Sequence, residues 1–185
     1  MSDEKLKLRS RILLGGIAGF AATLAMTAAM RRLHQRLPPT ERYPLTPREI
    51  VDSTAAQTVG PLPEEAAKDV TTLAHFAYGA AVGALIAALN PDPGKRTGTA
   101  AGIAVWLASY MGWIPAVGIL EPATKHPARR NALMIAAHGV WGYATATALR
   151  ELILARGTIL AKGSDKDVPP RHRLPAPERK RRPAR

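Results

Sequence analysis

Five histidines and no cysteine make up the metal- and proton-handling side chains of interest in this 185-residue chain. The lack of thiols removes disulfides, thiolate nucleophiles, Cys-ligated zinc and iron–sulfur clusters. Two histidines, His75 and His138, lie in uncharged stretches and share a local pattern: His75-x-x-Tyr78-Gly79 and His138-x-x-Trp141-Gly142. On a helix, His75 shares a face with Tyr78, Gly79 and Val82, and His138 with Trp141, Gly142 and Thr145. Two imidazoles on facing helices are the usual axial ligands of a b-type haem. With Glu121 or His126 they could instead form a metal site, or they could handle protons or a small solute. The plainer reading is a hydrogen bond to a neighbouring helix, a hydroxyl or a backbone carbonyl, because an imidazole inside a membrane is costly unless bonded. We adopt that reading, so no cofactor is expected, and haem b or a metal ion is the alternative. His34, His126 and His172 fall in polar segments and read as solvated.

Other chemistry is sparse. No nucleophile–base pair and no paired carboxylates can be found, and Gly15-Gly16-x-x-Gly19 lies within an apolar run rather than after a strand, so it is no nucleotide motif. The sequence therefore reads as that of a non-enzyme. Aromatic residues make up 5% of the chain, too few to build stacking platforms for nucleic acid.

The elements that must carry the histidines are set by charge. Charged residues are 22% of the chain and the mean hydropathy is -0.07, averages typical of a soluble protein. Yet residues 12–30, 70–89, 97–120 and 131–149 contain none of the 26 basic and 14 acidic residues. A soluble helix needs a polar face, with charge recurring every turn or so. Four uncharged runs near the roughly 20 residues that cross a bilayer indicate an all-α integral membrane bundle of four transmembrane helices. None of the four contains Asp, Glu, Lys or Arg, which disfavours a carboxylate relay. The first run follows a basic start, Lys5 to Arg11. Its length and the three runs after it suit a retained helix better than a signal peptide.

Between the runs, residues 31–69 form a polar connection with six prolines. Thr46-Pro47-Arg48-Glu49 has the form of a capping box and predicts a short helix over about 47–59, docked on the bundle or lying on the membrane surface. Pro63-Glu64-Glu65 predicts a helix start that runs into the second span, and Asn90-Pro91-Asp92-Pro93-Gly94 a tight turn after it. Pro115 predicts a kink in the third span. Trp113 suits an interface belt, Trp106 packing, and Tyr110 a partnership with either histidine. The domain organisation is thus a basic N-tail (1–11), a four-span domain (12–156) and a disordered basic C-tail (157–185).

The formal net charge is +12. Four spans put both termini on one side, with 17 Lys and Arg against 9 on the other. The positive-inside rule then places both termini in the cytoplasm, and His75 and His138 in the outer half of the membrane. The tail, ending in Arg179-Lys180-Arg181-Arg182, is expected to contact anionic lipid headgroups rather than nucleic acid.

The spans also repeat. At an offset of 83, Gly15, Ala18, Gly19, Ala21, Leu24 and Ala25 match Gly98, Ala101, Gly102, Ala104, Leu107 and Ala108. At an offset of 63, His75, Gly79 and Ala81 match His138, Gly142 and Ala144. We read two copies of a helical hairpin in parallel sense. Gly15/Gly19, Gly79/Gly83, Gly98/Gly102 and Gly142/Ala146 are small-xxx-small pairs that let backbones approach closely. Packing within the bundle is the preferred use of these pairs, and homo-oligomerisation the other.

Ala137-His138-Gly139-Val140-Trp141-Gly142-Tyr143, Arg150-Glu151 after it, the early Gly15 to Gly19 stretch and His75 together resemble the YagU-like family of small bacterial inner-membrane proteins. The likeness covers about residues 10–155 and omits the first loop and the tail. It implies a helical bundle in the bacterial cytoplasmic membrane and carries no established chemistry. Two functional expectations follow: a structural, interaction or envelope-adaptation factor, or a bundle that uses His75 and His138 for haem, a metal or small-solute transport.

Overall fold

A computed structural model describes residues 6–161, and these are all-helical, without strands. Helix α1 spans Leu8–His34, α2 Thr46–Thr58, α3 Glu64–Leu89, α4 Lys95–Ala108 and α6 Ala128–Gly157. Between α4 and α6, a π-turn (Ser109–Trp113) leads into the single turn α5 (Ile114–Ala116). Helices α1 and α3 are long and apolar enough to cross a membrane.

The packing follows from where the small residues are. Along α1, Gly15, Ala18, Gly19, Ala22, Thr23 and Met26 are buried, while Leu13, Ile17, Phe20 and Leu24 on the other face are exposed. Gly15 and Gly19 lie against Gly83 and Gly79 of α3. The same device recurs where Gly98 and Gly102 of α4 meet Gly142 and Ala146 of α6. Helix α1 also packs along α6. There the Trp141 indole Nε1–H donates to Gly19 O at 3.1 Å, while Leu14, Ala18, Ala87 and Leu149 form a small cluster. Small residues thus line the helix–helix seams, the large buried side chains such as Met26, Trp106, Leu133 and Trp141 gather in one cluster, and many other large apolar ones face outward, with Leu73 72% exposed on α3 and Leu107 53% on α4. In water the exposed apolar faces would be unfavourable, because contiguous apolar surface left in water is costly.

Several boundaries differ from the sequence reading. Helix α1 begins at Leu8, inside the basic N-tail of 1–11, because Arg11 has a partner: its guanidinium donates to Ala87 O (3.0 Å) and Ala88 O at the C-terminus of α3. There it satisfies orphan carbonyls and meets the negative end of the helix dipole. Helix α6 extends beyond 131–149 at both ends. The third helical rod stops at Ala116, short of residue 120. Gly118 (φ +72°) ends it, with Ile119 N donating to Ile114 O and Gly118 N to Pro115 O, a Schellman arrangement that glycine accommodates without strain. The kink at Pro115 takes the form of the π-turn before it. Ile114 N reaches back five residues to Ser109 O, and the widened turn makes room for a ring that would otherwise press on the carbonyl four residues earlier. Of the tail assigned to 157–185, residues 162–185 lie outside the described residues, and 158–161 form a turn.

The capping box at Thr46 and Glu49 does not form. Leu45 is the N-cap of α2 and no side chain caps it. Both residues are taken by distant partners: the Thr46 hydroxyl donates to the Tyr110 hydroxyl (3.2 Å), and the Glu49 carboxylate accepts from Arg130 (3.2 Å). Helix α2 docks on the bundle through Val51 and Ala55, and through the Ser53 hydroxyl, which donates to Ile119 O at 2.6 Å.

Candidate functional site

His75 and His138 line one cavity of about 260 Å³. This is near the lower end of the about 300–1,000 Å³ typical of small-molecule sites. Helix α3 contributes His75, Tyr78 and Val82 to its wall, the α4 rod contributes Val105, Ser109 and Trp113, and α6 contributes Met134, His138 and Trp141. Pro47 and Ile50 of α2 also line it. Among the described residues, no Asp, Glu, Lys or Arg lines it.

The two imidazoles are held differently. His138 Nδ1 lies 2.8 Å from Met134 O, one turn back on the same helix. A carbonyl only accepts, so Nδ1 carries the proton and Nε2 presents a lone pair. His75 Nε2 is buried without a hydrogen-bond partner among the described residues. Among the described residues, neither histidine therefore bonds to a neighbouring helix. Across the cavity, Tyr78 Oη and Ser109 Oγ are 2.8 Å apart, and the Tyr78 and Trp113 rings lie 6.4 Å apart between centroids. Trp106 is buried beside Tyr110, in keeping with packing.

Helix α2 is kept over the cavity by a residue that sequence reasoning passed over. Arg130, 3% exposed at the start of α6, donates from Nη1 to Glu41 O and Tyr43 O (both 3.0 Å). From Nη2 it donates to Pro44 O (2.6 Å) and to the Glu49 carboxylate. The Tyr43 ring stacks on the guanidinium at 3.5 Å. One planar cation thus gathers the carbonyls of the loop leading into α2. Burial pushes the Glu49 carboxyl above its ordinary range, although the charges of Arg130 and His126 pull the other way. The available signal was the pair Arg129-Arg130 directly before an uncharged run, in a chain whose proline-rich loop has to be tied down.

The other candidates lie elsewhere. Glu121 follows the third rod, and among the described residues no group of three His, Asp or Glu gathers that could hold a metal, so His75, His138 and Glu121 do not form a ligand set. His126 is not simply solvated. Its ring stacks on Tyr110 at 5.2 Å and its Nε2 lies 3.2 Å from Glu121 O, so Tyr110 partners His126 and Thr46 rather than either cavity histidine. His34 likewise sits 3.2 Å from Tyr43 O, because the loop folds back over the end of α1. His172 lies outside the described residues.

No protein-family model, curated protein or solved structure matches this chain. The likeness to the YagU-like family rests on the short motifs alone.

Proposed function

We propose that the chain is a four-span protein of the bacterial cytoplasmic membrane, built from two repeated hairpins (α1 with α3, α4–α5 with α6), that binds a small molecule between its histidines without transforming it. The cavity shared by His75 and His138 carries this reading. A bundle with a purely structural role has no need for a void at its two intramembrane imidazoles, and an unpartnered buried polar atom calls for an explanation.

Four spans are supported by length and surface. Residues 95–116 are continuous helix of about 33 Å and α6 of about 45 Å, enough to cross about 30 Å of hydrocarbon. Their outer faces present Ile103, Leu107, Met111 and Val140, the same large apolar types as on α1 and α3. The positive-inside count puts both termini in the cytoplasm. The basic run at 179–182, outside the described residues, would rest on anionic headgroups.

The test is native mass spectrometry with an absorption spectrum and metal analysis on detergent-purified protein and a His138→Phe variant. A bound small molecule with stoichiometry near one, lost in the variant, is the expected result. A Soret band or stoichiometric metal dependent on both histidines would turn the site into a cofactor centre. Protein with no bound species in any lipid environment would return the histidines to helix packing.

A further inference from the structure

The bundle is closed unevenly. Helices α1 and α3, α4 and α6, and α1 and α6 pack along their lengths, yet α3 and α4, neighbours through a five-residue turn, make next to no backbone contact. Both line the cavity, and its lining residues Tyr78 of α3 and Trp113 of the α4 rod are 42% and 44% exposed at this seam. What joins the two walls there is the Tyr78–Ser109 hydroxyl pair and the Tyr78–Trp113 ring contact. Ser109 begins the π-turn, a widened stretch of helix that recurs at functional sites. On the loop side, α2 and the Arg130 clamp cover the cavity, so entry from water would require breaking four hydrogen bonds to a buried cation.

We propose that the α3–α4 seam is a lateral entrance from the bilayer, latched by Tyr78 and Ser109, and that it admits a neutral, lipid-soluble molecule carrying one hydrogen-bond donor such as a hydroxyl. The inference rests on the membrane-bundle and cavity reading above. Neutrality follows from a lining without charged residues, since a charge buried there would be unpaired. The donor follows from His138, whose Nδ1–H is committed to Met134 O, leaving Nε2 to accept. Lipid solubility follows from the route.

The test uses the full-length protein in lipid nanodiscs and two probes of similar shape, 4-bromophenol and 4-bromoanisole, which quench tryptophan. Trp113 and Trp141 both line the cavity and report occupancy. Saturable quenching is expected with bromophenol about tenfold tighter than bromoanisole, the effect of one satisfied hydrogen bond. Because the chain has no cysteine, a Tyr78→Cys/Ser109→Cys protein can be bridged with a bis-methanethiosulfonate, each thiol displacing a sulfinate to form a disulfide that a reductant cleaves. Bridging should slow the onset of quenching at least about tenfold, and cleaving the bridge should restore it, so misfolding is excluded within one sample. Unchanged onset in the bridged protein would overturn the lateral entrance while leaving the cavity reading intact. Equal affinity of the two probes would overturn the donor requirement. If neither probe quenches saturably, the cavity reading itself fails.

Discussion

Replacing Gly83 with alanine tests the physical basis of the bundle most sharply. A Cβ built on Gly83 would stand 2.5 Å from Gly15 O and 2.7 Å from Gly19 Cα. That is roughly 1 Å short of the about 3.5 Å at which carbon atoms attract one another. Both obstacles are backbone, so no side chain can swing away and the two helices must part. Overpacking of this kind costs about 1–3 kcal/mol. Parting the helices by about 1 Å also forfeits a quarter to a half of each dispersion contact along the seam, on the order of 1 kcal/mol more. We therefore expect Gly83→Ala to destabilise the bundle by about 3 kcal/mol. Gly16 is the control. A Cβ there meets only Ala80 O at 3.7 Å and Ala84 Cβ at 3.8 Å, ordinary contact distances. Gly16→Ala should then stabilise by about 0.5–1 kcal/mol, because alanine is the better helix former. Reversible unfolding in mixed micelles, followed by helical circular dichroism, reads both. A Gly83→Ala protein within about 0.5 kcal/mol of the parent, or a Gly16→Ala protein equally damaged, would refute the reasoning.

Three further outcomes are expected. Arg130→Ala should release the loop over 38–49 and with it α2, raising amide hydrogen exchange of residues 46–58 and costing about 3–5 kcal/mol, since Glu49 loses its partner; exchange confined to the parent's rate would contradict the clamp. The raised Glu49 carboxyl means that its contribution to stability is full below the unfolded value near 4.5 and is lost as pH rises through the folded one; Glu49→Gln, which keeps an acceptor for Arg130, should flatten that decline in denaturation curves run from pH 4 to 7. Trp141→Phe removes the indole donor to Gly19 O and should cost about 1 kcal/mol in the same unfolding assay, whereas a neutral result would assign the indole to filling space alone.

What the sequence disclosed was local. The uncharged runs fall on helices, except that the third outlasts its helix beyond Ala116. The turn at Asn90 to Gly94 and the start of α3 after Pro63 lie where their residue types require. What it hid was long-range. Thr46 and Glu49 match a capping box on local grounds, but Tyr110 lies 64 residues away and Arg130 81 residues away, and both outbid the backbone. The same-face pattern brought His75 together with Tyr78 and Val82, and His138 with Trp141, and all five line the cavity. The void itself depends on how sparsely α3 and α4 touch, which no residue type encodes. Pro115 signalled a disturbed helix, but not that the disturbance would take the form of a π-turn at Ser109, opposite Tyr78.

The central claim, four spans with the histidine cavity inside the membrane, is tested most directly by side-specific labelling. Arg96→Cys in the turn after α3 and Lys125→Cys in the loop before α6 can be placed singly in a chain that has no other thiol. With a membrane-impermeant maleimide, Arg96→Cys should label only in inverted vesicles and Lys125→Cys only in right-side-out ones. Labelling of both positions from the same side, or recovery of the protein in the soluble fraction, would contradict the account.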